Sequence, residues 1–372
     1  MSLYPGRKTK LHKDWNGQFS ERKGEQSPNV QTGKRSPALQ AVQHCVMAAG
    51  LMLAAVSQAA DAKTTEPKFA KMSNMASKSL LLDVTRAAES PRMVTVGDRG
   101  HILFSDDNGI SWNQAKVPTI QMLTAVYFPS DKVGYAVGHD AIILKTSDGG
   151  ESWERVYDDL GLEAPLLDVW FDDVNTGIAL GAYGTILQTR NGGKDWVDIR
   201  DRINNEEEFH YNAIAGDGDG NVYIAGEAGI LFHSPDSGRT WNTLESPYEG
   251  SLFGVSAGQG EVLIHGLRGN VFRSTDQGKS WRAMSSGTGE TLFGSAVMGN
   301  GKSILVGTSG SFVSGKAGQW SAVNRSDRVS LSALAPGADG NIVVVGQGGI
   351  HRMSPTGEVL KKSTSTHPEQ EQ

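Results

Sequence analysis

The sequence predicts an all-β fold, a seven-bladed β-propeller of four-stranded antiparallel blades, and two repeats in the 372-residue chain support it. The first is an eight-residue pattern, Ser/Thr-x-Asp-x-Gly-x-Ser/Thr-Trp, whose tryptophans recur at steps of 39 to 45 residues. That spacing is about the length of one propeller blade. The second is a glycine that ends each apolar or β-branched run. It occurs at Gly97, Gly138, Gly181, Gly226, Gly266, Gly307 and Gly346, and so predicts seven blades.

The eight-residue pattern is typical of a hairpin turn with an aromatic anchor. The Asp side chain accepts hydrogen bonds from backbone N–H groups that follow it, and Gly takes the positive φ that the reversal needs. The Trp buries a large ring between neighbouring sheets. One copy has Asn191 in place of Asp. We therefore expect a structural role for Asp107, Trp112, Asp148, Trp153, Asn191, Trp196, Asp236, Trp241, Asp276 and Trp281.

The pattern weakens toward the C-terminus. Blade six keeps Trp320 but has a shortened turn, and blade seven has no Trp. Terminal repeats commonly diverge, because their neighbours differ. Each blade is complete in chain order, although residues 63–78 or the tail after Leu360 are candidates for a strand that closes the ring.

The first 60 residues predict export. Residues 1–40 hold eight Lys/Arg against three Asp/Glu without hydrophobic periodicity, so we expect a disordered basic leader; a start of translation nearer residue 30 is a second hypothesis. Residues 41–60 carry an apolar run followed by small residues, typical of a signal peptide cleaved near Ala59 or Ala60. A short buried helix or a signal anchor is the alternative. Residues 61–78 are predicted to be a linker, 79–360 the propeller and 361–372 a disordered tail.

Composition narrows the function classes. The net charge is −6, and removing a leader of charge +5 leaves about −11. A nucleic-acid binder needs a basic surface, so this acidic balance argues against one. The only cysteine, Cys45, lies in the leader, and no disulfide is predicted for the exported chain. We expect a monomeric periplasmic protein that is not inserted in the membrane and uses no cofactor.

The repeated turn is identified as an Asp-box, or BNR repeat, and residues 79–360 resemble the photosystem II stability/assembly factor family, in a non-photosynthetic bacterial branch. The resemblance implies a seven-bladed propeller that acts as a non-enzymatic chaperone, holding a membrane-protein assembly intermediate through an arginine-rich patch. At the Gly-x-x-Gly turns of this sequence only Arg99 and Arg268 are basic. The corresponding places are expected to hold His139, Tyr183, Glu227, Thr308 and Gln347.

A partner is expected on the face that carries these turns together with the loops leading into the innermost strands. Two of those loops are extended, at residues 158–165 and 202–211, and both mix acidic with apolar or aromatic residues. Loops raised on a rigid scaffold are common recognition sites, although solvated insertions are the alternative. The predicted partner-binding residues are Arg99, His101, His139, Asp140, Tyr183, Glu227, Arg268, Glu207, Phe209 and His210.

The sequence thus predicts an exported, protein-binding assembly or stability factor for an envelope or membrane protein complex, such as a transporter. The alternative is a divergent glycoside hydrolase or carbohydrate-binding propeller, since Asp-boxes also occur in sialidases. Its candidate acids are Asp83 and Asp168, at the same position of two innermost strands; the competing interpretation is that both simply face water in the channel. The histidines show no metal-ligand spacing, so no metal site is predicted.

Overall fold

The computed structural model describes residues 68–360 apart from Glu89 and Ala317. These residues form seven antiparallel sheets, each built from strands that are consecutive in the chain. The seven-bladed all-β fold is therefore confirmed. The last blade departs from the prediction, because its described part has three strands, whereas each of the other six blades has four.

In each blade the strands run in chain order from the central channel outward. Blade 1 contains β1 (Leu81–Arg86), β2 (Met93–Gly97), β3 (Ile102–Ser105) and β4 (Asn113–Gln114); blade 2 contains β5 (Leu123–Tyr127), β6 (Gly134–Gly138), β7 (Ile143–Thr146) and β8 (Glu154–Tyr157). Blade 3 contains β9 (Leu166–Phe171), β10 (Gly177–Gly181), β11 (Ile186–Thr189) and β12 (Val197–Asp198); blade 4 contains β13 (Tyr211–Gly216), β14 (Val222–Gly226), β15 (Leu231–Ser234) and β16 (Asn242–Thr243). Blade 5 contains β17 (Leu252–Gly258), β18 (Glu261–Gly266), β19 (Val271–Ser274) and β20 (Arg282–Met284); blade 6 contains β21 (Leu292–Val297), β22 (Ser303–Gly307), β23 (Ser311–Lys316) and β24 (Gln319–Asn324); blade 7 contains β25 (Leu331–Pro336), β26 (Ile342–Gly346) and β27 (Gly349–Met353).

The ring closes through packing between the first and last blades. Strand β25 lies against β1, and Leu81 shares a hydrophobic cluster with Val345 and Ile350 of blade 7. Within the described residues no strand is exchanged between blades. Part of the predicted linker packs on the propeller, since the Ala70 N–H donates to the carbonyl of Val117 (2.9 Å).

The predictions for residues 1–60, 61–67 and 361–372 lie outside the described residues. Among the residues that are described, no helix has the length and apolarity needed to span a membrane.

The glycine repeat has a packing cause. Each of these glycines ends the second strand of its blade, directly against the carbonyl that precedes the innermost strand. A Cβ on Gly138 would collide with the carbonyl oxygen of Met122, and a Cβ on Gly97 with that of Leu80. Only glycine permits this backbone approach.

The turn at Asp148 shows how the eight-residue pattern works. Its carboxylate accepts hydrogen bonds from the Ser152 N–H (3.0 Å), the Ser152 hydroxyl (2.5 Å) and the Thr146 hydroxyl (2.7 Å). Burial raises the pKa of Asp148, but the hydrogen bonds from Ser152, Thr146 and Glu151 outweigh it and lower the pKa to about 2. The Trp153 indole N–H donates to the Gly150 carbonyl (3.1 Å). Asp107, Asp236 and Asp276 are hydrogen-bonded in the same way, and Trp112, Trp196, Trp241 and Trp281 lie half-buried between blades.

The Asn191 turn keeps this geometry because a second residue of the turn also differs from the common pattern. Its last polar position holds Asp195, where the other four turns have Ser or Thr. The Asn191 side-chain amide donates to the Asp195 carboxylate (2.7 Å), and Asn191 Oδ1 accepts from the Asp195 N–H (3.0 Å). Donor and acceptor are thus exchanged between the two side chains while the turn stays closed.

Candidate partner-binding face

Because consecutive strands are antiparallel, the connections alternate between two faces of the propeller. The lower face carries the aspartate turns and the turns between first and second strands. The upper face carries the loops that lead into the innermost strands and the short 3₁₀ turns between second and third strands. Six such turns are Asp98–Gly100, His139–Ala141, Ala182–Gly184, Glu227–Gly229, Leu267–Gly269 and Thr308–Gly310.

The upper face brings together three predicted site residues from blades 3 and 4, which we term the upper-face cluster: Tyr183, His210 and Glu227. The rings of Tyr183 and His210 meet edge to face with centroids 4.8 Å apart. The backbone N–H of His210 donates to the Glu227 carboxylate (3.3 Å), and the backbone N–H of Glu227 donates to the His210 carbonyl (2.9 Å). Tyr183 nevertheless stays 56% exposed, so its ring is held in place but free to contact a partner.

The contact between His210 and Glu227 is not an ion pair in this geometry. His210 Nδ1 accepts the Tyr183 N–H at 2.9 Å, and a ring nitrogen that accepts a hydrogen bond carries no proton. Nδ1 lies 3.8 Å from the Glu227 carboxylate, beyond hydrogen-bond distance. The histidine therefore orients the tyrosine turn as a neutral acceptor.

The extended loop before blade 4 is closed by Asn205. Its side-chain amide donates to the Phe209 carbonyl (2.9 Å), and its oxygen accepts from the Phe209 N–H (3.1 Å). The same amide lies beside Gly184 of the tyrosine turn, which seats the loop against the cluster. Phe209 is half-buried, whereas Glu207 is exposed between two further exposed glutamates, Glu206 and Glu208.

The loop before blade 3 adds an exposed apolar side chain to this region. Leu160 is 68% exposed, in a short turn capped by the Asp159 carboxylate, which accepts the Gly161 N–H (2.9 Å). Exposed Asp158 and Glu163 belong to the same loop. Blades 3 and 4 therefore present one aromatic and one aliphatic side chain among exposed carboxylates, which outnumber the exposed Arg200 and Arg202 of the loop before blade 4.

The remaining predicted residues lie on the upper face but outside the cluster. Arg99 is exposed beside Asp98 (3.3 Å), and Arg268 is exposed on blade 5, which does not adjoin blade 1 in the ring. The two arginines do not form one patch. On blade 2, His139 is exposed and Asp140 accepts a hydrogen bond from the Gln121 amide.

Two predictions need correction. His101 is only 5% exposed and its Nδ1 lies 3.2 Å from the Ser79 hydroxyl; burial lowers its pKa, so it supports the fold instead of facing a partner. The equivalence among the upper turns was correct for Tyr183 but wrong by one residue for His139, Glu227, Thr308 and Gln347, each of which precedes the left-handed position. The left-handed position, occupied by Arg99, is filled in the next five blades by Asp140, Tyr183, Ala228, Arg268 and Ser309.

The candidate acids Asp83 and Asp168 lie in the wall of a central channel of about 760 Å³. Burial raises the pKa of Asp83 to about 6, against hydrogen bonds from Val126 and Val84 that lower it. Burial and then the charge of Asp83 raise the pKa of Asp168 to about 7. Both residues are partly exposed, on the side that lines the channel. Each carboxylate is engaged by backbone N–H groups, as a structural acid would be.

Sequence reasoning missed one polar contact on this face. Arg328 and Glu290 (3.4 Å) join the loops that lead into blades 7 and 6. Both residues fall in loops before innermost strands, so loop position alone could have indicated them. Within the described residues, no group of three or more His, Cys, Asp or Glu is placed to hold a metal ion.

The fold and the site define a seven-bladed propeller whose lower face is uniform and whose upper face varies from blade to blade. A family model described as photosynthesis system II assembly factor YCF48 matches residues 61–162 and 157–370. The chain belongs to this family.

Named relatives agree with this assignment. The photosystem II stability/assembly factor HCF136 of Arabidopsis thaliana chloroplasts is 31% identical over 84 residues, a stretch that covers 21% of this chain and 21% of that protein. The solved structure of YCF48 bound to a D1 peptide is similar with a TM-score of 0.61 at 17% identity, covering 75% of this chain and 94% of that one. YCF48 from Cyanidioschyzon merolae is similar with a TM-score of 0.61 at 16% identity, covering 78% and 99%. At these identities the structural likeness shows the fold alone.

Proposed function

We propose that this protein is a non-enzymatic assembly factor that is exported to the periplasm. It acts there as a monomer and holds a segment of a membrane or envelope protein, such as a transporter subunit, while the complex of that protein forms. Family membership supports the proposal, as do the names of its relatives: one is a stability/assembly factor, and another was solved with a bound peptide.

The observation that carries the proposal is the upper-face cluster. Tyr183 is exposed yet fixed by His210, which is the state of an aromatic anchor that loses little side-chain entropy on binding. The surrounding carboxylates, Glu206 to Glu208 and Glu227, favour a partner segment that carries Lys or Arg. The client therefore differs in charge from one that would bind an arginine-rich patch.

Site-specific photocrosslinking tests the proposal. A photoreactive amino acid replaces Tyr183 on the upper face in one variant of the tagged protein and Arg239, exposed on a lower-face turn, in a matched control. After irradiation of cells, adducts are isolated from the envelope fraction and identified by mass spectrometry. We expect the Tyr183 position to yield one dominant membrane or envelope protein, with the crosslink in a basic segment, and the Arg239 position not to capture it.

Equal capture from both faces would contradict docking on the upper face. Absence of a protein adduct at Tyr183, together with retained crosslinking at Arg239, would contradict the cluster as the docking site. Adducts whose crosslinked segments are acidic would overturn the charge argument while leaving an assembly role intact.

A further inference from the structure

The segment that precedes blade 1 lies along the outer edge of that blade. Residues 68–80, which we term the strap, are held there by Gln114 of β4, whose side-chain oxygen accepts the Ser73 N–H (2.8 Å) and whose amide donates to the Lys71 carbonyl (2.9 Å). Ala76 is 1% exposed and packs in the cluster that joins blade 1 to blade 7. The strap is therefore fixed on the propeller by backbone hydrogen bonds and a small buried side chain.

The large apolar side chains of the strap are left outside this packing. Phe69 is 46% exposed, Met72 69% and Met75 55%. Of the twelve large apolar side chains that are exposed in the described part of the chain, three therefore fall within seven residues. Single exposed apolar residues are common on protein surfaces, whereas a concentration of them marks a surface that contacts something else.

The strap is also basic, in a chain whose net charge is −6. It includes no acidic residue but has three exposed lysines, Lys68, Lys71 and Lys78. Lys116 of blade 1 adds a fourth cation, with its ammonium 5.4 Å from the centre of the Phe69 ring. The acid beside Lys116 in the fold is Glu151, and its carboxylate is paired with Arg92 (3.1 Å). The strap therefore combines exposed apolar side chains with a local excess of positive charge.

This combination fits the surface of an anionic lipid bilayer. Phe and Met side chains can enter the boundary between headgroups and acyl chains, while lysine ammonium groups stay with the lipid phosphates. The position of the strap in the chain agrees with such a contact. The predicted signal run, residues 45–56, ends eleven residues before Lys68, so the strap stays within about 40 Å of the bilayer while that run is in it.

We propose that the strap is a membrane-contact surface, which seats the propeller on anionic lipid through Phe69, Met72 and Met75 and through its three lysines. The contact is peripheral, because the strap keeps its hydrogen bonds to blade 1. It uses none of the residues of the upper-face cluster, which lies on blades 3 and 4. Lipid contact and client binding are therefore separate properties of the protein.

Fluorescence at single labelled positions tests the contact. The environment-sensitive fluorophore NBD is attached to the full-length chain through Met72→Cys or, as a matched control, Val197→Cys, each combined with Cys45→Ser. Val197 is 56% exposed on β12, the outer strand of blade 3. Vesicles of phosphatidylcholine, with or without phosphatidylglycerol, are added at low ionic strength. We expect the vesicles that contain phosphatidylglycerol to shift the emission at position 72 to the blue and raise it severalfold, and to leave position 197 unchanged.

The strap lysines separate this contact from binding by the leader, which has basic and apolar residues of its own. Lys68→Gln, Lys71→Gln and Lys78→Gln, combined in the chain labelled at position 72, should weaken the vesicle affinity by about fivefold for each lysine. Arginine at the same three positions keeps the charge and should keep the affinity. An unchanged response after the glutamine substitutions would assign the binding to the leader and overturn the proposal.

Three other results would also overturn it. Equal changes at positions 72 and 197, or at position 72 with neutral and anionic vesicles alike, would contradict a specific contact with anionic lipid. Blue-shifted emission at position 72 before vesicles are added would mean that another part of the chain covers the strap. A change produced by detergent-extracted envelope proteins but not by vesicles would identify a protein partner instead. None of these measurements depends on the upper-face cluster, so the proposed function stands or fails separately.

Discussion

The two faces of the propeller are built from the same repeat in different ways. On the lower face, Asp107, Asp148 and Asp236 make the same set of hydrogen bonds in three blades. On the upper face, one turn position holds Arg99 in blade 1 and Tyr183 in blade 3. A turn that packs on the preceding blade tolerates few side chains, whereas a turn that faces water tolerates many. Residues of the lower-face turns therefore hold the ring together, whereas residues of the upper-face turns are free to contact a partner.

The largest expected effect comes from forcing a side chain into a lower-face turn. Gly238 has φ +76°, and a Cβ there would lie 2.5 Å from Ile178 Cδ1 and 3.0 Å from Gln188 Nε2 of blade 3. We expect Gly238→Ala to lower the free energy of unfolding by about 3 kcal/mol, through backbone strain and overpacking. Urea unfolding measures the loss.

Gly218→Ala is the matched control for that prediction. Gly218 also has a positive φ, +84°, but a Cβ there would meet nothing within 4 Å. Backbone strain alone should cost about 1 kcal/mol. Equal losses in the two variants would mean that packing of the turn on the preceding blade contributes nothing.

A smaller effect is expected from restoring the common residue in the exceptional turn. Asn191→Asp places a carboxylate against Asp195, at the site of a 2.7 Å hydrogen bond. Loss of that bond and repulsion between like charges should cost about 1 to 2 kcal/mol. Asp195→Ser in the same chain recreates the pair of the other turns and should recover most of the loss. A double-mutant cycle at neutral pH checks this, and additive costs would contradict the exchange of donor and acceptor.

The smallest effect on stability is expected on the upper face. Tyr183 has φ +54°, a conformation that Asn tolerates, and its ring is exposed. Tyr183→Asn should change the free energy of unfolding by no more than about 0.5 kcal/mol. If the proposed docking site is correct, the same variant should lose most of the client recovered by affinity capture from the envelope fraction. Arg239→Ala, on the lower face, should retain it.

Prediction from sequence succeeded for features that depend on residues close to one another in the chain. The Asp148 turn closes on residues within four positions of itself, so its geometry follows from the eight-residue pattern. The same reasoning placed Tyr183 on a turn and His210 in the loop that leads into an innermost strand. It did not show that they touch, because 27 residues separate them and their meeting depends on how blade 3 packs against blade 4.

His101 and Asp168 show the same limit. His101 lies directly after its 3₁₀ turn, at a position that is also buried in blades 2 and 3, where it holds Ile142 and Thr185, and its ring contacts Ser79 at the start of blade 1. Asp168 was recognised as sharing a strand position with Asp83. Its hydrogen bond to the Ile214 N–H depends on how far blade 4 is shifted relative to blade 3, and the repeat pattern does not specify that shift.

The sequence by itself determined the number of blades, the position of every aspartate turn and the strands between them, because each of these depends on residues a few positions apart. Only the tertiary structure decided how blade 7 meets blade 1, which loops of the upper face come together and which acids bridge neighbouring strands. Those features are contacts between repeats, and the pattern within one repeat does not specify which side chains the neighbouring repeat places at the interface.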